Sequence, residues 1–276
     1  MSSALLAGCS SALLAPTGKA SLETLLTPAT TSRESVALEV FQLRVPNTAG
    51  GLADTVWQRV DEQRLGVDLR RRLVENGVRA GVLGVSLPDE LSLALNLTES
   101  AEPEEGSKVV TAADVHPKVL RRVVQVNRRQ KVTVQAAELR GETHLLYQGD
   151  RGLSGRTYQQ AQAHYTLRAE SSPGQLISVR LTPELHHGEL RNRYSGTGNQ
   201  GVFLLTPSRE VRTFDELQVA VDLSPGEFLL LGCLPGSPNS LGHALHVPED
   251  SGPKEQKLIL LRPLEVPPSE ILADAG

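Results

Sequence analysis

Histidines beside carboxylates are the residues of this chain whose types best suit chemistry. Glu184-Leu-His186-His187-Gly-Glu189 sets two imidazoles between two carboxylates, and His243-Ala-Leu-His246 adds a second pair three residues apart. Such donors suit a hydrolytic metal ion, which needs three or four ligands converging at about 2.0 to 2.2 Å. Adjacent residues of a strand point to opposite faces, so His186 and His187 would diverge if a strand ran through them. Both pairs sit near turn signals and read as solvated loop histidines. No metal site, no cofactor and no catalytic residue is assigned.

Other motifs fail on context. Gly196-Thr-Gly198-Asn-Gln-Gly201 spells the dinucleotide fingerprint, which needs a strand before it and a helix after it. Val202-Phe-Leu-Leu205 follows and reads as a strand, so the glycines read as a hairpin loop. Gly152-Leu-Ser154-Gly155 is one residue short of a nucleophile elbow and lacks the strand-turn-helix setting. Arg70-Arg71-Arg72, and Arg121-Arg122 with Arg128-Arg129 and Lys131, are basic clusters without interleaved aromatics, hence solvated faces. The net charge of -4 gives no electrostatic footprint for nucleic acid. Asn96-Leu-Thr98 is a formal glycosylation acceptor, with meaning only in a eukaryotic secretory setting.

The two cysteines, Cys9 and Cys233, are not expected to pair, because nothing holds a tail against the later strands. Cys233 reads as a small buried hydrophobe. Leu6-Ala7-Gly8-Cys9 matches the pattern for lipid attachment to a cysteine, which makes Cys9 a candidate lipidation site. Only eight residues precede it, without a basic segment or a long apolar one. Residues 1–35, rich in Ser, Thr, Ala and Pro, read as a disordered tail or a remnant signal or lipoprotein segment. No run reaches the roughly 18 to 20 apolar residues of a membrane-spanning helix.

The elements that must position these residues are mostly strands. The chain has 276 residues, enough for one large or two modest domains. Aromatics are only 3% of it, so its core is built from Leu, Val and Ala. Val36–Val45 alternates as a strand. Asp54 can cap a helix through Val56, Trp57 and Val60, and Asp68–Gly77 reads as a second helix ending at glycine. Val78–Leu87 is a strand, and Pro88 opens a third helix. Ala101-Glu-Pro-Glu-Glu-Gly-Ser107 is a polar linker. Beyond it short strands follow, among them Val119–Val126, Lys131–Leu139, His144–Tyr147, His164–Glu170, Leu176–Thr182, Leu217–Leu223, Phe228–Leu231 and Lys257–Leu261. Gly141-Glu142, Ser172-Pro-Gly174, His187-Gly188 and Pro225-Gly226 punctuate them as turns.

The β part, from about Lys108 to Val266, resembles the secretin domain of bacterial type II and III secretion and type IV pilus machines. Val119-Leu-Arg-Arg-Val-Val-Gln-Val-Asn-Arg-Arg-Gln-Lys-Val-Thr-Val134 is similar to its opening strand, turn and strand. Gln175-Leu-Ile-Ser-Val-Arg-Leu-Thr-Pro-Glu-Leu185 resembles its central strand. Arg209–Thr213 through Val219-Ala-Val221 to Pro225-Gly-Glu-Phe-Leu-Leu-Leu-Gly-Cys-Leu234 resembles its most diagnostic segment, with Gly232-Cys233 where the family has two glycines. Ser240–Leu245 and Lys254–Pro263 resemble its closing segments.

The resemblance implies an α+β fold: a small N-terminal β-α-β domain over 36–100, a linker over 101–107, and a β-rich, mainly antiparallel secretin-like domain over 108–266. Residues 267–276 are a C-terminal tail. It further implies a non-enzymatic protein of the periplasm or outer membrane, acting in protein secretion or as an envelope assembly module, without cofactor or small-molecule substrate. Its partner is protein, either further copies or an envelope component. Membrane association would come through a lipid on Cys9 or through the oligomer. Pro225, Gly226, Gly232, Cys233 and Leu234 form the expected assembly strand and turn, with contacts carried by the edges flanking Leu217–Leu231 and Gln175–Pro183. One alternative is a soluble or lipid-anchored periplasmic structural protein without a pore. Another is a metal-dependent hydrolase in which at least two of His186, His187, His243 and His246 converge with a carboxylate.

Overall fold

Phe228-Leu-Leu-Leu-Gly-Cys233 and Leu258-Ile-Leu-Leu261 are apolar at consecutive positions, as strands buried on both faces must be. The computed structural model, which describes residues 35–97, 119–128, 130–197, 202–250 and 252–265, places both in the middle of a sheet. These are β10 (Phe228–Cys233) and β11 (Glu255–Glu265). With β1 (Ser35–Pro46), β2 (Val78–Leu83) and β3 (Val119–Asn127) they form a five-stranded antiparallel sheet in the order β2-β10-β11-β1-β3.

The alternation of side chains sorts this sheet's residues into two cores. Phe41, Phe228, Leu230, Leu258 and Leu260 pack on one face with Val56 and Trp57 of α1 (Leu52–Trp57) and Leu91 of α3 (Asp89–Ala94). Leu38, Val40, Leu229, Leu231, Ile259 and Leu261 pack on the other face against a second sheet. The layers therefore run helices, first sheet, second sheet.

The second sheet has the order β4-β6-β7-β8, formed by β4 (Val132–Gln135), β6 (Gly152–Ser172), β7 (Leu176–Thr197) and β8 (Val202–Thr213). β5 (Arg140–Gly149) pairs with the first half of β6, and β9 (Val219–Leu223) pairs with the start of β7. Here the pattern alternates strictly. Ala163, Tyr165 and Leu167 on β6 and Ile177, Val179 and Leu181 on β7 point into the core between the sheets. The residues between them face outward, which leaves this sheet with one open, polar face.

Two further helices close the core between the sheets. α2 (Val67–Glu75) contributes Leu73, and α4 (Leu241–His246) contributes Leu241, Ala244 and Leu245. α2 ends at Asn76, and Gly77 follows at φ +72°, the left-handed conformation expected after a helix. The buried Asn76 amide donates to the carbonyls of Arg72 and Gln148, both at 2.9 Å, and its oxygen accepts from the Gln148 N–H at 2.9 Å. One side chain thus ends α2 and fastens β5 to it.

The α+β class, mainly antiparallel and β-rich, is as expected. The division into domains over 36–100 and 108–266 is not how the strands pair. β1 lies between β11 and β3, β2 pairs with β10, and the described residues all fall in one compact unit. The physical reason is the two-sided apolarity of β10 and β11: both need neighbours at both edges, and the early strands supply them. Gly141-Glu142 lies inside β5, and His187-Gly188 lies inside β7, so neither is a turn between strands. Gly188 instead sits at φ +77° where the β7–β8 register shifts, as at a bulge. Most of the expected tail over 1–35, including Cys9, the linker over 101–107 and the tail over 267–276 lie outside the described residues.

Candidate functional site

The expected assembly residues are accounted for inside the fold. Ser224-Pro225-Gly226-Glu227 makes the turn from β9 to β10, with the Glu227 N–H donating to the Ser224 carbonyl at 3.1 Å and Gly226 at φ +87°. Proline second and glycine third are what this turn geometry selects. At Gly232 a Cβ would lie 2.9 Å from Trp57 Cζ2 and 3.0 Å from Leu258 Cδ2, so the missing side chain makes room for the indole. Cys233 is 4% exposed, and burial pushes its thiol up to about 11, which leaves it unreactive. The Leu234 N–H donates to the Gly77 carbonyl at 2.9 Å.

β10 has a strand on each side, and so does β7 along Ile177–Leu181. Along β10 and along Ile177–Leu181 of β7 the expected edges are used internally, because apolar two-sided strands belong in the middle of sheets, whereas β9, like β3 and β8, pairs on one side only among the described residues.

The four candidate histidines do not converge. His186 and His187 lie in β7 on opposite faces and not in loops. His187 stacks on Tyr158 at 4.7 Å between ring centroids, and burial lowers its pKa. His246 is fully buried on α4. Its Nδ1 lies 2.7 Å from the Lys257 carbonyl oxygen and its Nε2 2.8 Å from the Tyr165 hydroxyl. His243, on the same helix, is half-buried, and desolvation and the Arg140 charge lower its pKa. His186 bonds through Nε2 to Glu184 at 3.1 Å and stacks on His164 at 4.3 Å. Among the described residues no group of three or more His, Cys, Asp or Glu is placed to hold a metal ion.

His164 is a histidine that its sequence context did not single out. It lies on the outward face of β6 yet is only 8% exposed, and its buried Nδ1 has no hydrogen-bond partner. Burial, then the neighbouring His186, holds its pKa down at about 4. The only available signal was its place in the alternation Ala163, His164, Tyr165, Thr166, Leu167.

His164 stands at one end of a run of polar cross-strand pairs on the open face. Register sets His164 opposite Glu184, Thr166 opposite Thr182, and Arg168 opposite Arg180. Successive pairs along the face lie about 6.7 Å apart, two strand residues. Thr213 of β8 faces Glu184 from the other side. Over the Thr166–Thr182 and Arg168–Arg180 pairs, with Glu184 and Thr213 but not His164, lies an open groove of about 290 Å³, with Lys131 and Asp215 also in its wall. The Gln218 amide donates to Thr182 Oγ1 at 2.9 Å across it. The wall is hydroxyls, guanidiniums, an amide and carboxylates, a surface suited to binding a polar molecule.

No protein-family model matches this chain, and neither a curated protein nor a solved structure matches it.

Proposed function

We propose that this chain is a non-enzymatic, secretin-like protein of the bacterial cell envelope that works in secretion or envelope assembly by pairing strand edges with protein. The observation that carries this reading is the length of two strands. β6 has 21 residues and β7 has 22, against a usual five or six or so. Among the described residues the far end of β7, residues 191–197, pairs only with 202–208 of β8, so a two-stranded ribbon runs on beyond the main sheet. Such a ribbon is marginal by itself in water. Its unpaired backbone edge is a template for another chain. In secretins, strands from neighbouring subunits complete a shared barrel, and this ribbon is the element suited to that role.

Light scattering on the full chain after size exclusion, with and without mild detergent, tests the reading. A ring-sized mass, many times that of one chain, is expected. A monomer in both conditions would overturn self-assembly and direct the search to a heterologous protein partner.

A further inference from the structure

The groove on the open face of the second sheet has an unbalanced charge at one end. Arg168 and Arg180 stand directly opposite each other on β6 and β7, a like-charged pair that a sheet ordinarily avoids because it is destabilising. Lys131 joins them in the groove wall. The one carboxylate paired at this end is Glu170, which is shared. It lies 3.1 Å from Arg180 Nη2 and 3.3 Å from Arg128 Nε. Among the described residues, Arg168 and Lys131 have no hydrogen-bond or ion-pair partner. A converging set of guanidiniums and an ammonium, held by adjacent strands, is the arrangement that recognises an oxyanion with charge-assisted hydrogen bonds.

The rest of the groove is built differently. Thr166 and Thr182 are each 7% exposed and sit one pair along from the two arginines. Thr182 already accepts from Gln218, which leaves its hydroxyl hydrogen free to donate. The Asp215 carboxylate has no partner among the described residues and can accept from a ligand hydroxyl. There is no aromatic ring in the wall on which an apolar or planar ligand would stack. The groove therefore offers positive charge at one end and hydroxyl-binding groups at the other.

We propose that this groove binds a small acidic saccharide. The acid group, a phosphate, sulfate or carboxylate, lies between Arg168, Arg180 and Lys131, and the sugar hydroxyls lie against Thr182 and Asp215. The volume of about 290 Å³ stands at the lower bound of small-ligand sites, room for one small sugar. No covalent step is involved. The site uses outward side chains of the second sheet and does not depend on whether copies of the chain assemble.

Isothermal titration calorimetry of the full chain tests this with four probes: inorganic phosphate, glucuronate, glucose 6-phosphate and glucose. The acidic sugars are expected to bind saturably, glucose not at all, and inorganic phosphate more weakly than glucose 6-phosphate. Which acidic sugar binds tighter distinguishes a carboxylate from a phosphate source. Arg168→Gln is expected to weaken acidic-sugar binding roughly tenfold or more, the loss of one charged hydrogen bond. Asp215→Asn should weaken the sugars and leave phosphate unchanged. Both side chains are exposed, and unchanged Trp57 fluorescence would certify that the variants are folded. Absence of binding by every acidic probe, or binding indifferent to both Arg168→Gln and Arg180→Gln, overturns the proposal.

Discussion

The Tyr165 hydroxyl donates to Nε2 of His246, and the opposite ring nitrogen of His246 donates to the Lys257 carbonyl. A carbonyl only accepts, so Nδ1 carries the proton and Nε2 is the bare nitrogen. This neutral tautomer is fixed by its two partners, one on β6 of the second sheet and one on β11 of the first. Protonating Nε2 would put a charge in the core and force the Tyr165 hydroxyl to turn its hydrogen away and accept instead.

Acid should therefore destabilise the protein in a defined window. Burial lowers the pKa of His246 from 6.5 to about 4, and that of His164 also to about 4. Between those values the unfolded chain binds more protons than the folded one, so stability is full above about pH 6.5 and falls as pH drops towards 4. At about 1.4 kcal/mol per pKa unit, His246 contributes a loss of roughly 3 kcal/mol. Urea midpoints at intervals from pH 7 to 4 measure it, and a flat profile in that range contradicts it. Tyr165→Phe should cost about 1 to 3 kcal/mol at neutral pH by leaving Nε2 unsatisfied.

Gly242→Ala is expected to be among the most damaging single-methyl additions. A Cβ at Gly242 would lie 1.8 Å from the Gly77 carbonyl oxygen, and backbone on both sides cannot give way. The Gly242 N–H also donates to the Asn76 carbonyl at 2.9 Å, so α4 cannot back off without losing that bond. A loss of about 3 kcal/mol or more should follow. Gly141→Ala, where a Cβ meets nothing within 4 Å, is the matched control and should stay within about 0.5 kcal/mol. Equal thermal midpoints for the two variants would show that α4 is not seated as described.

Glu39 is fully buried on β1, bonded to Arg262 at 2.5 Å and to Arg121. Glu39→Leu strands Arg262, whose side chain is 24% exposed, more than Arg121, which is 53% exposed and can turn to water. The expected cost is about 2 to 3 kcal/mol, below the full penalty of a buried pair broken on one side. Arg121→Ala should cost less than about 1 kcal/mol. Chemical denaturation of the two variants orders them, and the reverse order refutes the assignment.

Trp57 is the chain's single tryptophan. It lies between the Gly232 backbone and the Arg79 guanidinium, which sits 4.3 Å above its ring. Gly232→Val should displace the indole, shift its emission to the red and destabilise the fold by about 1 to 3 kcal/mol. Arg79→Ala removes the cation and an ion pair to Glu62 at 2.7 Å. It should change emission while costing no more than about 1 kcal/mol. Unaltered emission in both variants would place the indole elsewhere.

How far the sequence announces this structure depends on how local the cause is. The Pro225-Gly226 turn, the helix stop at Asn76-Gly77 and the strand over Val119–Asn127 follow from neighbouring residues and were legible. The position of Leu229-Leu230-Leu231 between β2 and β11 was not, since apolarity on both faces states that a strand is central without naming its neighbours. Gly188 reads as a hairpin turn by type, yet here it bends a continuing strand. The groove was invisible for a related reason. Arg168 and Arg180 look like solvated charges until the Ser172-Pro-Gly174 turn sets the register that brings them face to face.

The first sheet also dictates an order of events during synthesis. Phe41 leaves the ribosome long before its partner Leu260 is made. Until then β1 can pair with β3 but not with β11, and the apolar faces later shared with β11 stay uncovered on a nascent chain. Pairings of such sequence separation fold slowly and give chaperones and wrong partners time to act. A truncated copy ending before β10 would thus be a client for degradation and not a smaller working protein.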